Sequence, residues 1–283
     1  MSENVDPGAD TRGIVDPAAD TRGIVDPAAG FEHFTLSRVA PAPGLGWAVD
    51  RYWIVRWALP AGRAYEQKVV PHPAVHLVFE AARAEIQAIP TADFTRRLTG
   101  EDQVLGVKFQ PAGFRPWLGR RVATIVDQRL PAREVFGPTV DALAADLAVR
   151  PGLAAATGMV DDFLVGTGVR PLPMTAPVNA IVHHVAGDRS VTRVDDLAAR
   201  LEVSTRRLQR LFADHVGRSP KWVINRFRVH EAAERAAGVG PGTPIDWAAL
   251  AADLGYSDQS HLVRDFTHAV GTPPDRYAAR QGG

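Results

Sequence analysis

The sequence predicts an α+β protein of more than one domain. A β-rich N-terminal region precedes a helical connector and an all-helical C-terminal region in which one helical motif is used twice. Three observations lead there. Apolar residues alternate with period two between about Phe31 and Phe109, the pattern turns helical after "VFGP", and residues 195–220 reappear in altered form at 248–274.

Bulk properties bound the function. The chain of 283 residues is long enough for two modest domains with separate cores. Basic and acidic side chains number 32 each, so any nucleic-acid partner must be held by a local patch. Cysteine is absent, which excludes thiol catalysis, thiolate metal sites and disulfides. Lysine occurs only at Lys68, Lys108 and Lys221, and the wealth of Arg, Ala, Gly and Pro suggests a GC-rich bacterial genome. No apolar run approaches the roughly 20 residues that span a bilayer, and "MSENVDPGAD" has neither the basic nor the apolar part of a signal peptide. A cytoplasmic, nucleoid-associated protein with no membrane partner is therefore expected.

Residues 1–30 hold a decapeptide repeat, "VDPGADTRGI", "VDPAADTRGI" and "VDPAAG". With one aliphatic pair per unit there is little to bury, so disorder is expected. Residues 31–136 then read as a β-rich regulatory or effector domain. In "WAVDRYWIVRWAL", Trp47, Val49, Trp53, Val55, Trp57 and Leu59 share one face, interrupted by Arg51. "AVHLVFE" groups Val75, Leu77 and Phe79, and "VLGVKFQ" groups Leu105, Val107 and Phe109. Short strands between Gly/Pro turns fit a barrel or a sandwich. Residues 137–168, Ala- and Leu-rich, form the helical connector, and the proline-rich 169–176 a semi-stiff linker.

Residues 177–283 carry the repeated motif. Leu197, Ala198, Leu201 and Val203 match Leu250, Ala251, Leu254 and Tyr256; then Leu208, Arg210, Phe212, Gly217 and Pro220 match Leu262, Arg264, Phe266, Gly271 and Pro274. The register slips by one residue in the turn, where an insertion costs least. Each copy reads as helix, turn, longer helix, capped by Ser204 in the first and by Asp258 or Ser257 in the second. Gly217 and Gly271 stand where a left-handed residue closes a helix. In the first copy Leu208, Leu211 and Phe212 make an apolar back, and Arg206, Gln209 and Arg210 a polar front. Such a front suits the major groove, where Arg holds guanine and Gln holds adenine bidentately. Between the copies, "SPKWVINRFRVHEAAERAA" predicts a helix of about 18 residues and about 27 Å, near the roughly 34 Å that separates successive major-groove faces.

The motifs "VSTRRLQRLFADHVGRSP" and "AADLGYSDQSHLVRDFTHAVGTPP" resemble the DNA-binding domain of AraC/XylS-family transcriptional regulators, over about 178–280. The resemblance implies base contacts from Arg206, Gln209 and Arg210 in the first unit and from Ser260, His261, Val263 and Arg264 in the second. Ser204, Arg207, Lys221, Arg228 and Gln259 are the expected phosphate contacts, Arg228 matching the family's linker-helix arginine. "VVPHPAVHLVFE" and "LGVKFQPAGFRPWL" resemble the sensor-type N-terminal domains of such regulators, which implies a cupin-like barrel that binds a small effector, mediates dimerisation, or both. The expected partners are promoter or operator DNA, an unidentified small-molecule effector, RNA polymerase and a second copy of the chain.

Two other readings compete. A cupin-like enzyme would need a metal, but the HxH pair is absent, and His72, His76 and Glu80 on a straight strand spread over about 26 Å. No metal, no other cofactor and no catalytic residue is expected. An architectural protein that reads only DNA shape would tolerate substitution of the polar front. Trp47, Trp53, Trp57 and Trp117 line an effector pocket in one reading and are plain core in the other.

Overall fold

A computed structural model describes residues 14–15, 23–91, 94–238 and 244–281. Among the described residues nine strands occupy the N-terminal half: β1 (Ile14–Val15), β2 (Phe34–Val39), β3 (Val49–Ala58), β4 (Ala64–Val69), β5 (His76–Glu80), β6 (Arg83–Gln87), β7 (Phe94–Thr99), β8 (Glu101–Phe109) and β9 (Arg129–Pro131). Seven form one antiparallel sheet in the order β1-β2-β3-β8-β5-β6-β9, and β4 pairs with β7 in a second sheet. The two sheets face one another across a cavity.

Helix α1 (Pro27–Phe31) precedes β2; α2 (Arg115–Leu118), α3 (Arg133–Phe136), α4 (Thr139–Ala148) and α5 (Leu153–Gly166) follow β8. The C-terminal half is α6 (Thr175–Gly187), α7 (Val194–Arg200), α8 (Thr205–His215), α9 (Pro220–Ala237), α10 (Trp247–Asp253), α11 (Gln259–Val270) and α12 (Pro274–Gln281). The α+β architecture expected from the sequence is therefore present: sheets first, helices last, with two helix-turn-helix units joined by a helix of 18 residues. Pro220 starts α9 with a residue that has no N–H to leave unsatisfied, and the Ser219 hydroxyl accepts from Trp222 N.

The strands carry two faces, and both are covered. Leu77, Phe79, Leu105, Val107 and Phe109 pack toward the helices, as the alternation indicates, together with Tyr52 and Ile54 of β3. The other face of β3, with Arg51, Trp53, Val55 and Trp57, looks into the cavity instead of into that core. Of the four tryptophans singled out by sequence, only Trp53 and Trp57 line the cavity; Trp47 and Trp117 stack on each other 5.3 Å apart. Buried Asp161 of α5 accepts from the Tyr52 hydroxyl at 2.5 Å and from Ala42 N at 3.1 Å, which pins the connector to the sheet.

Disorder is the expectation for residues 1–30. Residues 1–13 and 16–22 lie outside the described residues; of the rest, Ile14–Val15 form β1 and Pro27 begins α1. Ile14 pairs with Val39 at the edge of the large sheet, and Ile24 bridges to Val69. The aliphatic pair of each repeat unit needs little core of its own, because strand edges offer it backbone partners. Val25 N donates to Lys68 O at 3.1 Å, and its side chain joins the cluster around Val229 and Tyr277.

The linker expected at 169–176 runs without helix or strand up to α6, yet it does not separate independent cores. One apolar cluster runs from Val39 and Phe109 through Val160 to Val182, Leu208 and Ile224. Asn179 of α6 accepts from Ala112 N at 2.7 Å and donates to Trp47 O at 3.1 Å. The second unit has its own cluster, centred on Leu250, Leu262, Phe266 and Val270.

Candidate nucleic-acid interface

Helix α8 owes its position to its apolar back. Leu208 and Phe212 are fully buried, and the helix packs on a 3₁₀ turn at Val122–Thr124 of the β-rich region. Gly217 closes the unit with φ of 92°, and a Cβ there would lie 2.9 Å from Val122 Cγ1. Glycine is thus required twice over, by conformation and by close approach. With the back so held, Arg206, Arg207, Gln209 and Arg210 are all exposed on one side. Ser204 caps the helix, its hydroxyl accepting from Arg207 N at 3.2 Å.

The second unit repeats the geometry with different chemistry. Asp258 caps α11 by accepting from His261 N at 2.9 Å, and its other oxygen lies 2.7 Å from His261 Nδ1. These two bonds hold the Asp258 carboxyl below the usual aspartate range. Gln259, Ser260, His261 and Arg264 are exposed, and Val263 is half-buried. Residues 244–281 hold Asp246, Asp253, Asp258, Asp265 and Asp275 against Arg264, Arg276 and Arg280, so this unit is the acidic one.

The sequence-derived contacts therefore fall into three groups. Arg206, Arg207, Gln209 and Arg210 share one exposed face of α8, with Ser204 at its start; Gln259, Ser260, His261 and Arg264 cluster at the start of α11. Lys221 is exposed at the start of α9. Arg228 stands apart. Its guanidinium lies 3.7 Å from the ring centre of Tyr256, and Nη1 donates to Asn225 Oδ1 at 3.4 Å. Asn225 in turn donates to Asp265 at 3.1 Å, so this group joins α9 to the second unit. Burial lowers the Arg228 pKa and raises that of Tyr256.

Sequence reasoning missed a polar seam between the β-rich region and the first unit. Arg218 donates to Asp127 Oδ1 at 2.7 Å and to Ile89 O at 2.5 Å. Arg226 donates to Thr91 O at 3.0 Å, Thr91 Oγ1 donates to Asp127, and Arg121 pairs with Asp214 at 2.6 Å. The guanidinium groups of Arg218 and Arg226 both lie over the Trp222 ring, 5.2 and 4.6 Å from its centre. Burial pushes the Asp127 carboxyl up, but bonds from Arg218 and Thr91 outweigh it and leave the carboxyl below its ordinary value.

The cavity between the sheets measures about 320 Å³ and is mostly apolar. Asp127, Gln128 and Arg129 contribute to its wall, so one short segment serves both the cavity and the seam. Among the described residues no group of three His, Asp or Glu side chains is placed to hold a metal ion. Nor is any helix there long and apolar enough to cross a membrane.

Comparison with known proteins bears on the two halves separately. The profile of a helix-turn-helix domain matches residues 197–280, and that of a domain of unknown function, DUF6597, matches residues 37–131. A helix-turn-helix-type transcriptional regulator of Mycobacterium tuberculosis is 35% identical over 85 residues, which is 30% of this chain. The match spans 31% of that relative's length. Among solved structures, the C-terminal domain of AraT, a response regulator of Geobacillus stearothermophilus, is similar at 23% identity. It covers 38% of this chain and 86% of that one, with a TM-score of 0.32. ToxT of Vibrio cholerae is similar over 89% of this chain and 99% of its own, at 10% identity and a TM-score of 0.38.

Proposed function

We infer that the whole chain is a sequence-specific, DNA-binding transcriptional regulator of the AraC/XylS type, in keeping with the match of residues 197–280 to the profile of a helix-turn-helix domain. The observation that carries this reading is the pairing on α8 of a fully buried back, Leu208 and Phe212, with an exposed front of Arg206, Gln209 and Arg210. A helix so mounted enters a major groove front first. Arg206 and Arg210 then hold guanine O6 and N7, and Gln209 the adenine edge. Ser260, His261, Val263 and Arg264 read the next groove, one helical turn away, through a unit whose acidity weakens its hold on phosphate.

Ser204, Arg207, Lys221 and Gln259 stand where phosphates pass on either side of the reading helices, and backbone amides at the helix starts add donors. Arg228 acts in this reading through the joint it makes with Tyr256 rather than as a primary phosphate ligand. The β-rich region supplies control. A small effector in the cavity touches the segment of Asp127 that holds Arg218, and so biases the seat of the first unit. RNA polymerase and a second copy of the chain complete the partners, in the cytoplasm at the nucleoid.

The test is selection of duplexes from a random-sequence pool by the full chain. The expected product is two conserved blocks about 10 base pairs apart centre to centre. A pool that gains no consensus, or one that gains only an A·T-rich, bendable composition, overturns the reading in favour of shape recognition.

A further inference from the structure

The cavity wall on the large sheet is graded along the strands. In one cross-strand row Arg51 faces Lys108, Lys108 faces His76, and His76 faces Gln87. The next row carries Trp53, Gly106 and Val78, and those beyond carry Val55 and Val104, then Trp57. The Trp53 indole fills the place that a side chain at residue 106 would need, since a Cβ on Gly106 would lie 2.0 Å from its Cε2. The chamber thus has a polar end and an apolar body. At about 320 Å³ it falls within the roughly 300–1,000 Å³ of small-ligand pockets.

The charged groups of the wall are satisfied within the protein. Arg51 and Lys108 both reach the same Asp50 oxygen, at 3.0 and 3.1 Å, and these two and Arg38 have further partners. Glu80 pairs with Arg96, and Asp127 with Arg218. A ligand carboxylate would have to displace Asp50, and a ligand ammonium would meet Lys108 and Arg51; either would also lose its hydration. The neutral groups differ. His76 Nδ1 accepts from Trp53 Nε1 at 3.1 Å, which leaves the ring proton on Nε2. Burial, with Lys108 nearby, holds the His76 pKa down at about 3, so the ring is neutral. Gln87 stands directly opposite on β6, about 5 Å away across the strands. Both side chains line the cavity, yet neither His76 Nε2 nor the Gln87 amide has a hydrogen-bond partner among the described residues. Polar groups at a largely apolar chamber gain by acquiring partners, and a bound molecule can supply them.

We propose that this chamber binds a small uncharged amide, its amide group held by His76 and Gln87 and its apolar body lying on Trp53, Val55, Trp57 and Val104. His76 Nε2–H donates to the ligand carbonyl, while the Gln87 side chain offers an oxygen to the ligand N–H and an N–H to its carbonyl. A polyhydroxylated ligand finds too few polar partners along the apolar rows. The site adjoins the seam: Ala88 N donates to Gln128 O at 3.1 Å, and Ile89 O accepts from Arg218 at 2.5 Å. A ligand against Gln87 therefore rests on the strand end that helps to seat the first unit. The proposal deepens the effector part of the regulator reading, on which it rests for its role, but makes no use of DNA.

The experiment is isothermal titration of the full chain with octanamide and 4-phenylbutyramide, set against the carboxylate and the primary amine of each skeleton. At least one amide is expected to bind at a single site, at least tenfold more tightly than its acid or its amine. Gln87→Leu is expected to weaken that binding about tenfold. His76→Phe is expected to do the same, but it also takes the acceptor from Trp53 Nε1, so Gln87→Leu is the variant that leaves the indole untouched. An acid or amine that binds as tightly as its amide, no binding of either amide, or unchanged amide affinity in Gln87→Leu overturns the proposal. Because no DNA is present, failure here leaves the DNA-binding reading standing, and failure of duplex selection leaves this site standing.

Discussion

The two helix-turn-helix units descend from one sequence pattern, yet they sit in the molecule differently. The first shares a continuous core with the β-rich region and is laced to it by Arg218–Asp127, Arg226–Thr91 and Arg121–Asp214. The second is built on a smaller cluster, distinct from the first but taking in Val70 and Val25 of the β-rich region and Val229 of α9, with Arg228 stacked on Tyr256 at the joint. Charge divides them as well. Arg206, Arg207 and Arg210 crowd one helix, whereas α11 offers Arg264 beside Asp265. The shared fold rests on the shared apolar positions Leu208/Leu262 and Phe212/Phe266, all buried. The polar fronts were free to diverge, and so were the surfaces that meet the rest of the chain.

The largest effects lie in the cores. Phe212→Ala should cost about 3–5 kcal/mol and destabilise the β-rich region along with the first unit, because they share a core. Phe266→Ala should cost a similar amount but lower chiefly the transition of the second unit, whose cluster meets the β-rich region at Val25 and Val70. Urea unfolding followed by circular dichroism and by tryptophan fluorescence separates the two; one common transition lowered equally by both variants breaks the comparison.

Next come the reading faces. Arg206→Ala and Arg210→Ala should each cost about 1–3 kcal/mol of specific DNA affinity and relax one base position, with Arg264→Ala costing less than either. Arg207→Ala should weaken all sequences alike and reduce the slope of log affinity against log salt by about 1. Binding to the selected duplex across a salt series checks these together.

Smaller effects test the seam. Asp127→Asn should cost about 1 kcal/mol, discounted because the carboxylate is half exposed, and should perturb the fluorescence of Trp222, read by comparison with Trp222→Phe. The folded pKa of Asp127 lies below its ordinary 3.8. Its contribution is therefore complete above that value and fades as pH falls through the folded value. Docking should be flat from pH 7 to 5 and loosen below about 4, and Asp127→Asn should remove that acid limb. Smallest of all, Ser204→Ala should cost about 0.5 kcal/mol, and Asp258→Ala should lower the melting temperature slightly, because both caps are exposed; thermal melts of the single variants check this.

What could be read from the sequence follows from how local each signal is. The span of α9 was legible because Pro220 and Gly238 bracket it, and the caps because Ser204 and Asp258 act within three residues. The duplicated motif announced itself by repetition. The cavity left one trace, Arg51, which interrupts an apolar face; alternation alone cannot say that this face lines a chamber while its opposite meets helices. Strand pairing by Ile14–Val15 was hidden because its partner, Val39, lies in a different segment. The seam was invisible for the same reason: Asp127 and Arg218 are 91 residues apart, and Thr91 and Arg226 are 135 apart.

Fluorescence anisotropy of the full chain tests the central claim most directly, with the selected duplex set against a scrambled one across a salt series. A preference of a hundredfold or more, about 3 kcal/mol, that persists as salt rises is the predicted result. Equal affinities that collapse together with salt would contradict it, reducing the exposed front of α8 to a phosphate clamp.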